Sequence, residues 1–485
     1  MRRSRRPGDR SLADGVGSRR VAAETGVTTR VSDIDEAPRR GVVRPFDARP
    51  LRLSGGAFWR DLRRDTLTAW PDAVYGRHDL LLETAGRRLL VATSPGTVSR
   101  VLMDRDSPWG LSDFQKRQLE PVLGGSLVLA DGPDALALRR RVAGFFPRVP
   151  EPRLGALAAD RLGRLSAHGS DDLEADLSRA VLIMLAELLF DSDPADAVGS
   201  LGALFDERVR HLEQLRLRAA AGWPLWMSRG CDRLRRRVVA HDEALLDMLA
   251  GQSGELRRLA AASGRREAAA TVLALFSGYK TAGLTLLWSL KALADRPDLL
   301  RALEPEAREW TEGGRTTPGL FRARNARSFV REVMRLYPAF PFLLRQARDD
   351  DDVLGARKRD VVMISPWIIH RHPLLWSAPL HFDAGRFLSD AFSPLTYLPF
   401  GFGQRRCMGA NISEQIVIAG LLSIVASGRS FSMSGFAPRG SFILRPDRPV
   451  QIRFEDASSS PRPRTTHDMA AGKGGIQAAS ATCRP

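Results

Sequence analysis

The sequence predicts a mainly α domain with a small β part, and three observations lead there. Apolar residues recur at helical spacing over several long segments, β-like runs are short and few, and Pro-rich sequence replaces the helical pattern from Pro338 to Phe400. The chain has 485 residues, of which 44% are hydrophobic and 27% charged, a globular composition. No repeat and no linker interrupts the centre, so residues 41–454 read as one large domain. Residues 1–40, rich in arginine and small residues, read as a disordered basic arm, and residues 455–485 as a disordered tail.

Taken in chain order, His78–Glu83 and Arg87–Val91 alternate around Ala85-Gly86, which predicts a hairpin. Asp171–Phe190 carries apolar residues at helical spacing behind an acidic start, a favourable helix N-terminus. Leu201–Ala220 and Ser228–Leu249 are amphipathic and are separated by Gly222-Trp223-Pro224. Arg265–Asp295 predicts one very long helix ended by Arg296-Pro297, and Asn325–Leu336 another stopped by Tyr337-Pro338. From Pro338 to Phe400 helices vanish and short runs such as Asp360–Ile364 read as strands; Cys407–Ala426 is helical again.

Charge and cysteine usage exclude several functions. The formal charge is +17, from 73 basic and 56 acidic residues, but 68 of the basic residues are Arg and only 5 are Lys. So strong a bias looks like a whole-sequence preference and weakens any argument from charge to a partner. The arm holds +4 and the tail +1, which leaves about +12 on the domain. No nucleic-acid-binding fold or aromatic interleaving accompanies it, so no nucleic acid is expected as a partner. Cys231, Cys407 and Cys483 are far apart, which excludes a disulfide scaffold and a zinc ribbon. His370 and His372 have no third ligand nearby, and Asp349–Asp352 lacks the spacing of a calcium loop. No run of about 18 apolar residues occurs, so no membrane anchor is expected. The Arg pairs of the N-terminus lead into no apolar core, and a cytoplasmic location is the expectation.

The strongest local signal is Phe400-Gly401-Phe402-Gly403-Gln404-Arg405-Arg406-Cys407-Met408-Gly409. A lone cysteine follows a Gly-rich loop and opens an apolar helix. Unpaired N–H groups at a helix start, with Arg405 and Arg406 beside them, should lower the thiol pKa, and a thiolate suits a metal such as iron. Gly401, Gly403 and Gly409 would let the backbone approach whatever the sulfur binds. A buried structural cysteine is the competing reading.

This segment resembles the haem-binding loop of the cytochrome P-450 superfamily, F-x-x-G-x-R-x-C-x-G, and meets it at Phe400, Gly403, Arg405, Cys407 and Gly409. The resemblance covers roughly residues 45–455. It implies a single large cytochrome P-450 fold, with a long central helix over the haem and the Cys loop and proximal helix beneath it. The cofactor would be haem b, with Cys407 as the axial thiolate of its iron. Phe400 would pack by the sulfur, Gly409 would leave room for the ring, and Arg405 would pair with a propionate. Glu332-Val333-Met334-Arg335 resembles the family's ExxR helix, and Phe382–Phe387 its PERF region with Ala-Gly in place of Pro-Glu. Arg386 would then complete a buried structural cluster with Glu332 and Arg335. Arg345 matches a propionate-contacting position. Asp131–Arg141 resembles the helix that lies along the haem: Arg139 keeps that helix's arginine, but Ala135 stands where the family has Trp or His, so one propionate donor is missing.

The same resemblance places Ser277-Gly278-Tyr279-Lys280-Thr281-Ala282 at the oxygen-activating helix. Gly278 would open the helix beside dioxygen, and Thr281 would hydrogen-bond the activated oxygen and help protonate it. Lys280 replaces the family's acid. Charged lysine donates but cannot accept, so three alternatives stand: Lys280 points away or pairs with an acid and ordinary monooxygenation persists, the proton route changes toward peroxide or an oxygenated substrate, or the chain has become a non-catalytic haem-binding or sensor protein. No flavin, dinucleotide or iron–sulfur fingerprint is present, so electrons would come from a separate ferredoxin or flavodoxin, docked on the arginines 139–141, 405 and 406. A small apolar organic substrate would be lined by Ser107–Leu123, Leu201–Trp226, Leu273–Thr281 and Ala339–Leu344, with O2 as the second substrate.

Overall fold

The computed structural model describes residues 44–189 except 54, 85–86, 105–106, 114–115, 117–126 and 144–152; positions 207, 236, 239–240, 243, 246–247 and 272; and residues 275–455 except 390–391. The expected terminal arms and most of the two helices expected between 201 and 249 lie outside the described residues.

Helices dominate. They are α1 (Gly55–Arg64), α2 (Ala73–Gly76), α3 (Pro95–Leu102), α4 (Gly132–Ala143), α5 (Leu154–His168), α6 (Leu173–Leu189), α7 (Tyr279–Asp295), α8 (Pro297–Glu312), α9 (Thr317–Arg322), α10 (Arg324–Leu336), α11 (Pro366–Ile369) and α12 (Ala410–Val425). The strands are β1 (Leu51–Arg52), β2 (Leu80–Thr84), β3 (Arg87–Ala92), β4 (Trp109–Gly110), β5 (Leu343–Ala347), β6 (Val361–Ile364), β7 (Phe431–Met433), β8 (Pro438–Gly440), β9 (Leu444–Pro446) and β10 (Ile452–Phe454).

Six strands form one sheet in the order β1-β2-β3-β6-β5-β4. β2 and β3 pair antiparallel with Leu82 opposite Leu89, as the alternation around Ala85-Gly86 predicts. β3 then pairs parallel with β6, Leu90 opposite Val362. This joins a strand near the N-terminus to the Pro-rich stretch and seals one apolar cluster around Leu90, Val98, Val362 and Ile364. β7–β10 and β8–β9 are separate antiparallel pairs.

The larger core lies among α5, α6, α7 and α12, with α8 and α10 against it. α6 begins with Glu174 and Asp176 in its first turn, where acids favour the helix dipole, and buries Leu177, Val181, Leu182 and Leu185. α7 is buried on nearly every face because neighbours cover it all round. Its Trp288 stacks on Tyr337, 4.5 Å between centroids, and so ties α7 to the end of α10. α7 is shorter than the expected Arg265–Asp295. Positions 272, 275 and 276 are helical, Ser277 and Gly278 form a turn, and the regular helix restarts at Tyr279. The Pro-rich stretch also holds one short helix that apolar spacing did not signal. α11 is started by Ser365, whose hydroxyl accepts from the Ile368 N–H, with Pro366 at its first position.

Gly283 sets the approach of α7 to α6: a Cβ there would stand 2.9 Å from the backbone of Ser178. Gly163, inside α5, has nothing within 4 Å of the same construction. Identical substitutions should therefore act in opposite directions. Gly283→Ala should lower stability by about 1–3 kcal/mol through overpacking, whereas Gly163→Ala should raise it by roughly 0.5–1 kcal/mol through helix propensity. Denaturant midpoints of the two variants check this; equal signs would contradict the packing.

Candidate functional site

The site is built on a buried ionic cluster. Glu332 and Arg335 sit one turn apart on α10 and are both 0% exposed. Arg335 donates from Nε to Glu332 Oε2 at 2.7 Å and from Nη2 to Oε1 at 2.8 Å. Its remaining N–H groups reach the carbonyls of His370 (2.6 Å), Pro379 (2.7 Å) and His381 (3.1 Å). Glu332 also receives the Asp383 N–H at 2.9 Å and Arg386 Nε at 3.3 Å. Glu332, Arg335 and Arg386 are thus brought together, and Trp376 lies under both guanidinium groups. A buried charge is tolerable only when every hydrogen-bonding position is filled, and here they are filled by a segment with little regular structure.

His370 links this cluster to the cysteine loop, a role sequence reasoning missed. It is completely buried; its Nε2 accepts the Leu398 N–H at 2.8 Å, which leaves Nδ1 as the donor to the Arg335 carbonyl at 2.9 Å. Both ring nitrogens are committed, so His370 cannot ligate a metal. Burial, with Arg335 and Arg371 nearby, pulls its pKa down to about 3. Two residues beyond Leu398 the loop begins. Gly403 has φ +68°, and a Cβ on it would stand 1.9 Å from the Leu102 carbonyl. The close approach is therefore to α3, not to whatever the sulfur binds. Cys407 donates its N–H to the Phe400 carbonyl at 2.9 Å, and Gly409 forms the N-cap of α12.

The thiol differs from expectation. Cys407 reaches solvent, yet protein crowds it on most sides, and that burial pushes its pKa up; the Gly409 N–H, Arg139 and Arg406 pull the other way without winning. Local electrostatics alone do not make a thiolate here. A bound metal would have to take the proton's place.

A cleft of about 480 Å³ is lined by Arg139, Arg345, Arg348, Arg405, Asp131 and Ala135 among others. Arg405 is committed within it, to Asp131 Oδ1 at 2.7 Å and to the Ala130 carbonyl. Burial would raise the Asp131 carboxyl, but Lys116 and Arg405 outweigh it and hold it at about 2. Arg345 is different. It is 8% exposed, and the one hydrogen bond of its side chain among the described residues is Nη1 to the Leu344 carbonyl at 2.8 Å. Burial and Arg405 together lower it to about 10. A buried guanidinium facing a cleft in this state fits an anionic group, which a haem propionate would supply. Arg139 donates to the Arg406 carbonyl at 2.5 Å and senses the Cys407 thiol, so it connects the cleft to the cysteine.

At the start of α7, Gly278 is the N-cap and a Cβ on it would lie 3.7 Å from Ser413 Oγ in the first turn of α12. Thr281 Oγ1 donates to the Gly278 carbonyl at 3.0 Å, which leaves its oxygen free to accept. Lys280 is 9% exposed, and its Nζ lies 3.3 Å from Glu174 Oε1 in the first turn of α6. Of the residues expected to line a substrate pocket, Phe342 packs on Trp70, 5.6 Å between centroids, and Leu343 joins the core around Leu90, so both serve the fold. Positions 208–226 lie outside the described residues.

Two consequences follow for stability. Glu332→Gln or Arg335→Ala should cost about 3–5 kcal/mol, because each leaves a buried charge unmatched; chemical denaturation reads the loss, and a change under about 1 kcal/mol would contradict the cluster. His370, with its folded pKa depressed from 6.5 to about 3, contributes stability that is whole above about pH 6.5 and is lost as pH falls below it, since the unfolded chain takes up the proton first. His370→Gln should flatten the slope of stability against pH between about 6 and 4, measured by thermal melts; an unchanged slope would count against this histidine.

Comparison with known proteins agrees with the geometry. The family model described as cytochrome P450 matches residues 240–429, the span that holds α7, α10 and the Cys407 loop. Dimethylnonatriene synthase of Arabidopsis thaliana is 33% identical over 158 residues, 30% of this chain and 31% of that protein. Cytochrome P450 3A40 of Oryzias latipes is 30% identical over 204 residues, 38% of this chain and 39% of that protein. The chain thus spans about a third of the length of the curated relatives it matches. The fold extends further. The haem domain of cytochrome P450DA superposes with a TM-score of 0.62 at 19% identity, covering 78% of this chain and 90% of that one. A six-coordinated cytochrome P450 from Thermus thermophilus gives 0.59 at 21% identity, over 78% and 95%. Fold, family match and the buried support of the cysteine loop agree: residues 240–429 carry the match to the cytochrome P450 family, whose cofactor is haem with thiolate ligation, and the fold is that of its haem domains.

Proposed function

We propose that the chain is a haem-thiolate monooxygenase that inserts one oxygen atom from O2 into an apolar small molecule, with two electrons from a separate protein and water as the second product. The observation that carries this reading is the placement of Cys407: an accessible cysteine three residues before α12, on a loop anchored through Leu398 and His370 to the buried Glu332–Arg335 pair. Bound haem would supply the iron at which dioxygen is activated.

The chain's own residues would do the rest. Cys407 would release its proton to solvent as its sulfur ligates the metal. Arg345 and Arg139 would receive the propionates, while Arg405 fixes the loop against Asp131 rather than serving a propionate directly. Thr281 holds its hydroxyl proton on the Gly278 carbonyl and so presents an acceptor at the start of α7. Lys280 faces an acid, which supports dioxygen chemistry over the peroxide-driven and sensor readings. Arg140 and Arg406 are exposed, next to the cysteine loop, and suit an acidic one-electron donor such as a ferredoxin or flavodoxin. Among the described residues no helix is long and apolar enough to cross a membrane. We infer a cytoplasmic location from the scarcity of cysteine in the sequence.

The reduced protein should bind carbon monoxide with the red-shifted Soret band of thiolate ligation, and Cys407→Ala should abolish it; a histidine-type band would overturn the proposal. Arg345→Ala should weaken haem retention by roughly 10–100-fold, as expected for loss of a hydrogen bond to a charged group. Transfer of haem to apomyoglobin measures it, and unchanged transfer would remove Arg345 from the site. Reduction by the electron donor should slow as salt rises, and a rate indifferent to ionic strength would exclude the basic face as its dock.

A further inference from the structure

Lys280 is nearly buried, in the turn of helix that also carries Thr281, and its neighbour Glu174 is not a simple counter-ion. Arg445, on β9, approaches the same carboxylate from the other side, with Nη2 2.9 Å from Oε1 and Nε 3.3 Å from Oε2. The Glu174 and Lys280 side chains are 10% and 11% exposed and that of Arg445 is 30% exposed, so the carboxylate and ammonium are nearly buried while the guanidinium reaches the surface. Around Oε1 the cations stand at ion-pair distance without the alignment of a hydrogen bond. Glu174 itself is fixed: Ser178 Oγ donates to its carbonyl at 2.6 Å, and the adjacent Leu173 N–H is held by the Val450 carbonyl at 2.9 Å. The carboxylate therefore hangs on a rigid helix start, between a half-buried surface arginine and a buried lysine.

We propose that Glu174 is a positioning residue for Lys280: with Arg445 it holds the ammonium in the groove between α6 and α7, and it thereby decides how the lysine acts on proton delivery at Thr281. This rests on the monooxygenase reading for its consequence, though not for the pairing itself. A nearly buried ammonium is costlier to keep in place when a carboxylate beside it is lost, so loss of the Glu174 charge weakens the hold on Lys280. Loss of Arg445 removes a competing cation from the carboxylate and tightens its hold on Lys280.

The chain has only five lysines, at 116, 280, 291, 358 and 473, which makes the test direct. Full-length protein labelled with ¹⁵N-lysine should give an exchange-protected ammonium resonance for Lys280, assigned by its loss in Lys280→Arg. Glu174→Gln should abolish or move that resonance while Lys291, paired with Asp295 at the surface, stays put. Arg445→Gln, at a more exposed position, should keep the resonance protected but shift it. In turnover, product formed per electron consumed should change several-fold in Glu174→Gln, should be restored toward the wild-type value by Glu174→Asp, and should not respond to Glu174→Gln in a Lys280→Met background. An unmoved Lys280 resonance in both single variants, or an equal Glu174→Gln effect with and without Lys280, would overturn the proposal. If wild type and variants make no product at all, the monooxygenase reading fails, and the resonance alone decides the pairing.

Discussion

Glu332 and Arg335 have no exposed surface, and neither could be buried alone. Their mutual hydrogen bonds use only part of their capacity. The rest is filled by the carbonyls of His370, Pro379 and His381 and by the Asp383 N–H and Arg386, all from one stretch without long helices or strands. That stretch cannot hold its course by its own backbone ladder, so the ion cluster acts as its template. His370 completes the link by donating to Arg335's own carbonyl and accepting from Leu398. α10, the irregular stretch and the cysteine loop therefore settle as a unit, and Cys407 inherits its position from charges it never touches.

Around that frame the charges divide by task. Arg405 and Arg348 meet acids and brace loops: Arg405 to Asp131, Arg348 to Asp113 at 2.7 Å. Among the described residues the Arg345 side chain hydrogen-bonds to one carbonyl, which suits it to an anion. On the other side, α7 presents a base and α6 an acid, so a nearly buried ion pair joins the two helices.

How much of this was legible beforehand depended on distance along the chain. The hairpin of β2 and β3 follows from local alternation, and the ten residues around Cys407 and the turn holding Glu332 and Arg335 are contiguous motifs. Glu174 was not legible as Lys280's partner, because nothing in α6 marks one acid of its first turn as facing α7. His370 looked like an isolated loop histidine; only the fold shows both of its nitrogens committed. The direction of the Cys407 shift was misjudged because burial by distant segments outweighs the neighbouring Arg406 and the helix start. The break before Tyr279 was hidden too, since Ser277-Gly278 sits inside a continuous apolar period.

Ligation of the haem iron by the Cys407 thiolate is tested most directly by electron paramagnetic resonance of the ferric full-length protein. A low-spin rhombic signal with the narrow spread typical of thiolate ligation, lost in Cys407→Ala, is the expected result. A wide-spread signal typical of histidine ligation, or a spectrum that survives Cys407→Ala unchanged, would contradict it.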